Sequence, residues 1–151
     1  MCKEQLIENI IKLDKPGREK TIKLCEKMGW KFEEPERGDL AYDCLIYLNS
    51  DILVVGEIKN RDLKCQKYDT LFLQEDKYNN VLKWKSRLGA DLAWYINWIG
   101  DECYIFDLSK VDPNTKTQKW MNKVTAESTK NKELKTIYEI NKKDATIFEI
   151  L

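Results

Sequence analysis

Apolar and polar positions along the chain change period several times, and each change marks a boundary between elements. From Glu4 to Leu13, Leu6, Ile7, Ile10 and Ile11 recur at the spacing of an amphipathic helix. Asp14 can cap a second helix, with Pro16 in its first turn and Gly29 beyond its end. The apolar positions of that helix are Ile22, Leu24, Cys25 and Met28, and Glu19, three residues before Ile22, falls near the inward face. A glutamate there can equally snorkel outward, since the helix dipole favours an acid in the first turn. Trp30-Lys31-Phe32 alternates as a short strand, and a loop from Glu33 to Leu40 carries Pro35 and Gly38. The central stretch, Tyr42 to Lys59, reads as two strands around the turn Asn49-Ser50-Asp51. Its second half, Ile52 to Val55, has no polar alternation and so predicts a strand covered on both faces. Gly56 follows, and an extended Glu57-Ile58-Lys59 places the two charged side chains on one face.

Beyond Lys59 a polar connection, Asn60 to Tyr68, leads to a helix over Gln74 to Leu88, begun there or somewhat earlier. Tyr78, Val81, Leu82 and Leu88 are its inward positions, and Gly89 is its stop. Asp91 to Ile99 and Cys103 to Leu108 are strands around Gly100-Asp101. The segment from Lys110 to Lys132 is polar, with Trp120, Met121 and Val124 as its anchors. Thr136 to Ile140 and Ala145 to Ile150 predict a final hairpin around residues 141–144. No repeat, low-complexity tract or domain boundary interrupts the pattern. The expected fold class is α/β, bordering on α+β: a mixed β-sheet flanked by helices, in one domain over 1–151.

Composition narrows the chemistry. The chain has 151 residues, 42% apolar and 34% charged, enough for one domain with a real core. No apolar run approaches the roughly 20 residues that span a bilayer, and the acidic N-terminus lacks a signal-peptide pattern, so a cytoplasmic setting, in the source or a host cell, is expected. The five cysteines are scattered without a CxxC pair and read as free, mostly buried thiols. The chain has no histidine. That removes Ser-His-Asp and Cys-His nucleophiles, histidine bases and histidine-ligated zinc. Catalysis would have to run on carboxylates, lysines or tyrosines, with an oxygen-liking cation such as Mg²⁺. Net charge is zero, yet 59–87 holds 8 basic and 4 acidic side chains and 110–143 holds 9 and 4. Such stretches suit phosphate, although solvated lysine faces look the same.

Asp43, followed after 13 intervening residues by Glu57-Ile58-Lys59, is the constellation that bears on function. An acid-x-Lys triplet alone is uninformative, since about four arise by chance at this composition. Four are present, starting at 57, 62, 75 and 133, and only the first closes an apolar strand with an Asp near the preceding one. In this respect the chain resembles the PD-(D/E)xK nuclease superfamily, whose members include restriction endonucleases and archaeal-type Holliday-junction resolvases. The matching pieces are Glu19 in the leading helix, Tyr42-Asp43 in place of the family's Pro-Asp, Glu57-Ile58-Lys59, and Gln74 with Tyr78 as the QxxxY pattern of RecB-like members. The resemblance covers about 16–108 and leaves 109–151 as an extension. It implies a Mg²⁺- or Mn²⁺-dependent deoxyribonuclease acting in repair, recombination or a phage or mobile-element setting.

On chemical grounds the Asp43 and Glu57 carboxylates and the Ile58 carbonyl offer hard oxygens to Mg²⁺, with Glu19 reaching it through water. Lys59, among anions, stays protonated and would orient the attacking water and stabilise charge on the phosphate. Gln74 and Tyr78 would position the nucleophile or backbone, and Arg61, Lys64, Lys67 and Lys77 would contact phosphates. The alternative is a Glu57–Lys59 ion pair with Asp43 as an acid near a turn, but such buried pairs bring little stability. The aromatic stripe of Trp94, Tyr95, Trp98, Tyr104 and Phe106 favours strand packing over base stacking. The competing functions are a relict nucleic-acid-binding module on the same fold, and an interaction protein that docks a partner through 109–151. DNA is the expected partner, with RNA open beside it and no membrane. Cutting both strands would call for a homodimer or two successive events.

Overall fold

The computed structural model describes residues 3–35, 42–122 and 132–150, with 3–14 and Asn122 described by backbone alone. These residues form α1 (Lys3–Met28), β1 (Lys31–Glu33), β2 (Cys44–Tyr47), β3 (Leu53–Arg61), β4 (Thr70–Gln74), α2 (Glu75–Leu88), β5 (Leu92–Ile99), β6 (Glu102–Asp107), β7 (Lys116–Asn122), β8 (Lys132–Asn141) and β9 (Thr146–Glu149). Six strands make a mixed sheet in the order β1-β2-β3-β5-β6-β9. Its one parallel pairing joins β3 to β5, with Val54 to Arg61 beside Leu92 to Ile99, across a crossover that contains β4 and α2. A smaller antiparallel sheet, β4-β8-β7, stands apart from it. The fold is a mixed α+β arrangement with helices flanking the large sheet.

The unalternating run in β3 is buried on both faces, as its composition requires. Val54 and Ile58 pack with Ile96, Trp98 and Ile105 against Leu24 and Cys25 of α1. Val55 belongs to the opposite core, with Ala93, Tyr95, Ile99 and Phe106, under Val81 of α2 and Leu71 and Leu73 of β4. Two glycines make room for close contacts. A Cβ at Gly17 would lie 3.0 Å from Ile58 Cγ2, so α1 approaches β3 there; one at Gly56 would meet Sγ of its cross-strand partner Cys44 at 2.8 Å. Trp98 Nε1 donates to Thr21 Oγ1, which donates to the Gly17 carbonyl, tying β5 to α1 inside the core.

Several elements differ from the sequence reading. Residues 3–28 form one helix with Pro16 inside it, where two were expected. Packing of the Gly17 turn against β3 outweighs the local cost of the proline. The inward stripe of α1 runs Gly17, Thr21, Leu24, Cys25, so Met28 is exposed and Glu19 lies on the outer side. Residues 70–74 are a strand rather than an early start to α2, with Leu71 and Leu73 buried on alternate positions. The tract after Lys110 contains strand β7, and Trp120, expected as an anchor, is exposed. The expected hairpin of 136–150 does not form: β8 pairs with β4 and β7, whereas β9 crosses to the edge of the large sheet beside β6. Leu88 is also exposed, at the last turn of α2. The apolar face read for 4–13, Cys2, Val124 and residues 36–41 of the first loop lie outside what the structure describes.

Candidate active site

The site is built where the β2–β3 ladder ends. Pairing stops at Cys44 opposite Gly56. One residue further, the Asp43 N–H donates to the Gly56 carbonyl at 3.0 Å, and Asp43 Oδ2 accepts the Ile58 N–H at 2.7 Å. The carboxylate therefore substitutes for a backbone carbonyl and satisfies a strand N–H that the ladder no longer serves. Glu57, between Gly56 and Ile58, projects from the face opposite α1, together with Val55, Lys59 and Arg61. Its neighbour on β5 is Tyr95, and that of Lys59 is Asn97.

The Asp43 and Glu57 carboxyls are close enough to act on each other. Burial pushes the Asp43 carboxyl above its ordinary value of 3.8; the Ile58 N–H, Lys77, the neighbouring Glu57 carboxyl and Arg18 pull it back without cancelling that rise. Lys77, on the first turn of α2, places Nζ 3.7 Å from Glu57 Oε1. Glu57 is only 13% exposed against 50% for Lys77, so the carboxylate lies inside and the lysine is a counter-charge at the solvent edge. The arrangement is two neighbouring, part-buried acids, with Lys77 beside Glu57 and Lys59 two residues along the same strand face.

The other expected site residues divide into two groups. Gln74 immediately precedes α2 rather than lying within it, and its Oε1 accepts from Lys135 Nζ at 3.5 Å. The Tyr78 ring packs on Tyr138 with centroids 4.7 Å apart, which seats α2 on β8. Lys64 and Lys67 are exposed on a 3₁₀ turn, Leu63–Lys67, held by Asp62 accepting the Lys64 N–H. Glu19 and Arg61 are placed differently from expectation. Glu19 is 60% exposed and pairs with Lys15 at 3.9 Å, because its neighbours Gly17 and Thr21 take the inward positions. Arg61 turns inward: Nε donates to Asn97 Oδ1 at 2.8 Å, and Nη2 donates to the Phe72 carbonyl and the Tyr95 hydroxyl, each at 2.7 Å. Tyr95 donates in turn to the same carbonyl at 2.8 Å. Burial raises the Tyr95 hydroxyl pKa, and the Arg61 guanidinium opposes it.

Three contributors were not singled out from sequence. Arg18, facing Glu34 at 3.6 Å, is the α1 residue whose charge acts on Asp43. It lies beside Glu19 in the chain, and only the position of Gly17 against β3 reveals which of the two faces the sheet. Asn97 is fully buried on β5 and its Nδ2 has no hydrogen-bond partner among the described residues. An Asn amid Ile96, Trp98 and Ile99 was the available signal. Tyr95 belongs to the aromatic stripe whose pattern points to strand packing alone.

The donor set fits a hard divalent cation of the Mg²⁺ type. Mg²⁺ is commonly held by one or two carboxylates while keeping several waters, and Asp43 and Glu57 supply such a pair. Among the described residues no group of three or more His, Cys, Asp or Glu converges, so the protein would contribute a partial shell.

The architecture, a mixed six-stranded sheet flanked by helices, has a counterpart among solved structures. The chain is similar in structure to Hjc, a Holliday junction resolvase from the archaeal hyperthermophile Archaeoglobus fulgidus, with a TM-score of 0.55 over 84% of this chain and 87% of that one. Sequence identity across the match is 14%. No family model matches the sequence, and no curated protein matches it.

Proposed function

We propose that the protein is a metal-dependent nuclease that hydrolyses DNA phosphodiester bonds at the Asp43–Glu57 pair. The observation that carries this reading is the placement of two part-buried carboxyls at one end of the β2–β3 ladder, Asp43 on the Ile58 N–H and Glu57 beside Lys77, in a fold similar to that of a nuclease. A structural role alone would favour one acid paired to one base, because a second adjoining carboxylate only adds desolvation and repulsion.

Asp43, Glu57 and the Ile58 carbonyl would hold Mg²⁺ or Mn²⁺. When bound, the ion would polarise a phosphate oxygen and make water a better nucleophile at neutral pH. The chain's own residues supply the rest. Lys59 orients the attacking water and balances charge that accumulates on the phosphate as the P–O bond breaks. Lys77 screens Glu57 in the resting state and, being half exposed, can turn to a phosphate once the acids are otherwise neutralised. Lys64 and Lys67 bind the backbone beyond the cut, which strengthens affinity without reading sequence. Gln74 and Tyr78 act by fixing the start of α2, hence Lys77, against β8. Arg61 braces β3 on β4, and Glu19 stands outside the site.

A second reading has its own support. Asp43 caps the Ile58 N–H, a structural task that would preserve the residue in a relict, non-cleaving DNA-binding protein. The test is incubation of the purified protein with supercoiled circular, linear and four-way-junction DNA, in Mg²⁺ or in EDTA, beside Glu57→Gln. The nuclease reading predicts metal-dependent cleavage that Glu57→Gln lacks while folding normally. DNA binding without cleavage of any substrate, and no Mn²⁺ binding by the wild type, would establish the relict reading.

A further inference from the structure

Within the small sheet, β7 and β8 run on past the end of β4. β4 pairs only with Ile137–Asn141 of β8, whereas β7 pairs with Lys132 through Tyr138. Residues 132–136 and their β7 partners thus continue as a two-stranded ribbon beyond the sheet, for about 17 Å at the usual rise per residue. Such a ribbon gains little stability by itself. Its side chains are also unusual for a free surface. Trp120 is 64% exposed and faces Leu134 across the strands, itself 48% exposed. Lys132 lies near the same end on the same face, whereas Lys119 and Lys135 form a cross-strand pair on the opposite face, where Lys119 sits over the Phe72 ring and Lys135 pairs with Glu133 at 3.7 Å. With Lys116, the described ribbon strands carry four lysines against Glu133 and Glu139.

The ribbon is anchored next to the site. Lys116 pairs with Glu75 at 2.6 Å, and Tyr138 holds Tyr78. Glu75 and Tyr78 flank Lys77, the residue that reaches Glu57, so one turn of α2 connects ribbon and carboxylates. An exposed indole on a ribbon that carries more lysines than acids, with Lys132 on its own face, is complementary to a polyanion with accessible aromatic faces. Bases in a duplex are stacked on each other, and only an unpaired strand offers such faces to a side chain on a sheet.

We infer that the β7–β8 ribbon is a docking arm for a single-stranded DNA segment beside the cleavage point, with Trp120 stacking on a base. The inference deepens the nuclease reading, since it gives the substrate an unpaired or splayed strand next to the scissile bond. Its test avoids cleavage. Fluorescein-labelled oligothymidine and a duplex of equal length are titrated in EDTA with wild type, Trp120→Ala, Trp120→Phe and Lys132→Gln, following anisotropy. Trp120→Ala weakens oligothymidine binding by about 5- to 150-fold, the range found for loss of one base–aromatic stack. Trp120→Phe keeps most of the affinity, and Lys132→Gln lowers the log–log salt slope by about 0.7. Duplex binding changes less than twofold in the Trp120 variants. Unchanged oligothymidine affinity in a folded Trp120→Ala overturns the proposal, as does an equal loss on duplex. A change of sedimentation mass in that variant would assign the patch to a second copy of the chain instead. Should Glu57→Gln cleave like wild type, the nuclease reading falls while the binding result stands unaffected.

Discussion

Asp43 carries two tasks that conflict energetically. It serves the Ile58 N–H, which needs only an acceptor, and it places a poorly solvated carboxyl against Glu57, which a stable fold does not need. An acid whose folded pKa is raised keeps its proton longer in the native state than in the unfolded chain. Native stability is therefore present below the unfolded value, near 3.8, and declines as pH rises from there through the folded value. Asn at this position still accepts from Ile58 and does not titrate. In EDTA, Asp43→Asn is expected to melt above the wild type at pH 7, with the difference shrinking as pH falls toward 4, by calorimetry. Its cleavage activity drops at least about 100-fold, the upper range for loss of a group that merely supports a metal ligand. A variant that melts below wild type at pH 7 would mean that Asp43 is chiefly a stabilising acid.

Strand β3 shows how much of an element can be read from its sequence. Its buried run and terminal Glu-Ile-Lys were legible because a two-sided apolar run that ends in alternating charge suits the emerging end of a central strand and little else. The fate of Arg61, in the same strand, was not legible. It depends on Asn97, Tyr95 and the Phe72 carbonyl, none of them near it in sequence. Likewise the outward position of Glu19 follows from Gly17 and Thr21 forming the contact stripe of α1, and neither residue type registers as apolar. Because Arg61 joins β3 to β4 and supplies the partner of buried Asn97 Oδ1, Arg61→Ala is expected to cost about 1–3 kcal/mol in urea unfolding. DNA affinity of the folded variant should stay within about twofold of wild type. A large loss of affinity with stability unchanged would return Arg61 to the phosphate-binding set.

At the scale of the molecule, the order of strands and helices around Asp43 and Glu57 was readable, and the second sheet was not. β4 and β7 carry short or mostly polar patterns, and they become strands by pairing with opposite edges of β8. Such long-range pairing leaves little local trace, so the polar tract after Lys110 looked like a solvated extension and Trp120 like an anchor. In the folded chain the large sheet holds the acids, α2 carries Lys77 to them, and the ribbon extends from the same turn of α2. Binding and chemistry are then assigned to different residues, which makes them separable.

That separation gives the most direct test of the central claim. Cleavage of a single DNA substrate under single-turnover conditions is measured in Mg²⁺ for wild type and Lys59→Ala, with Mn²⁺ affinity determined on the same preparations. A site in which Lys59 acts on the phosphate and not on the metal predicts that Lys59→Ala keeps Mn²⁺ and DNA affinity within a few-fold. It also predicts a loss of about 10²–10³ in rate, as expected for removal of one charge-stabilising donor. Equal rates in the two proteins, or metal-independent cleavage in either, would contradict a metal-assisted nuclease built on Asp43, Glu57 and Lys59.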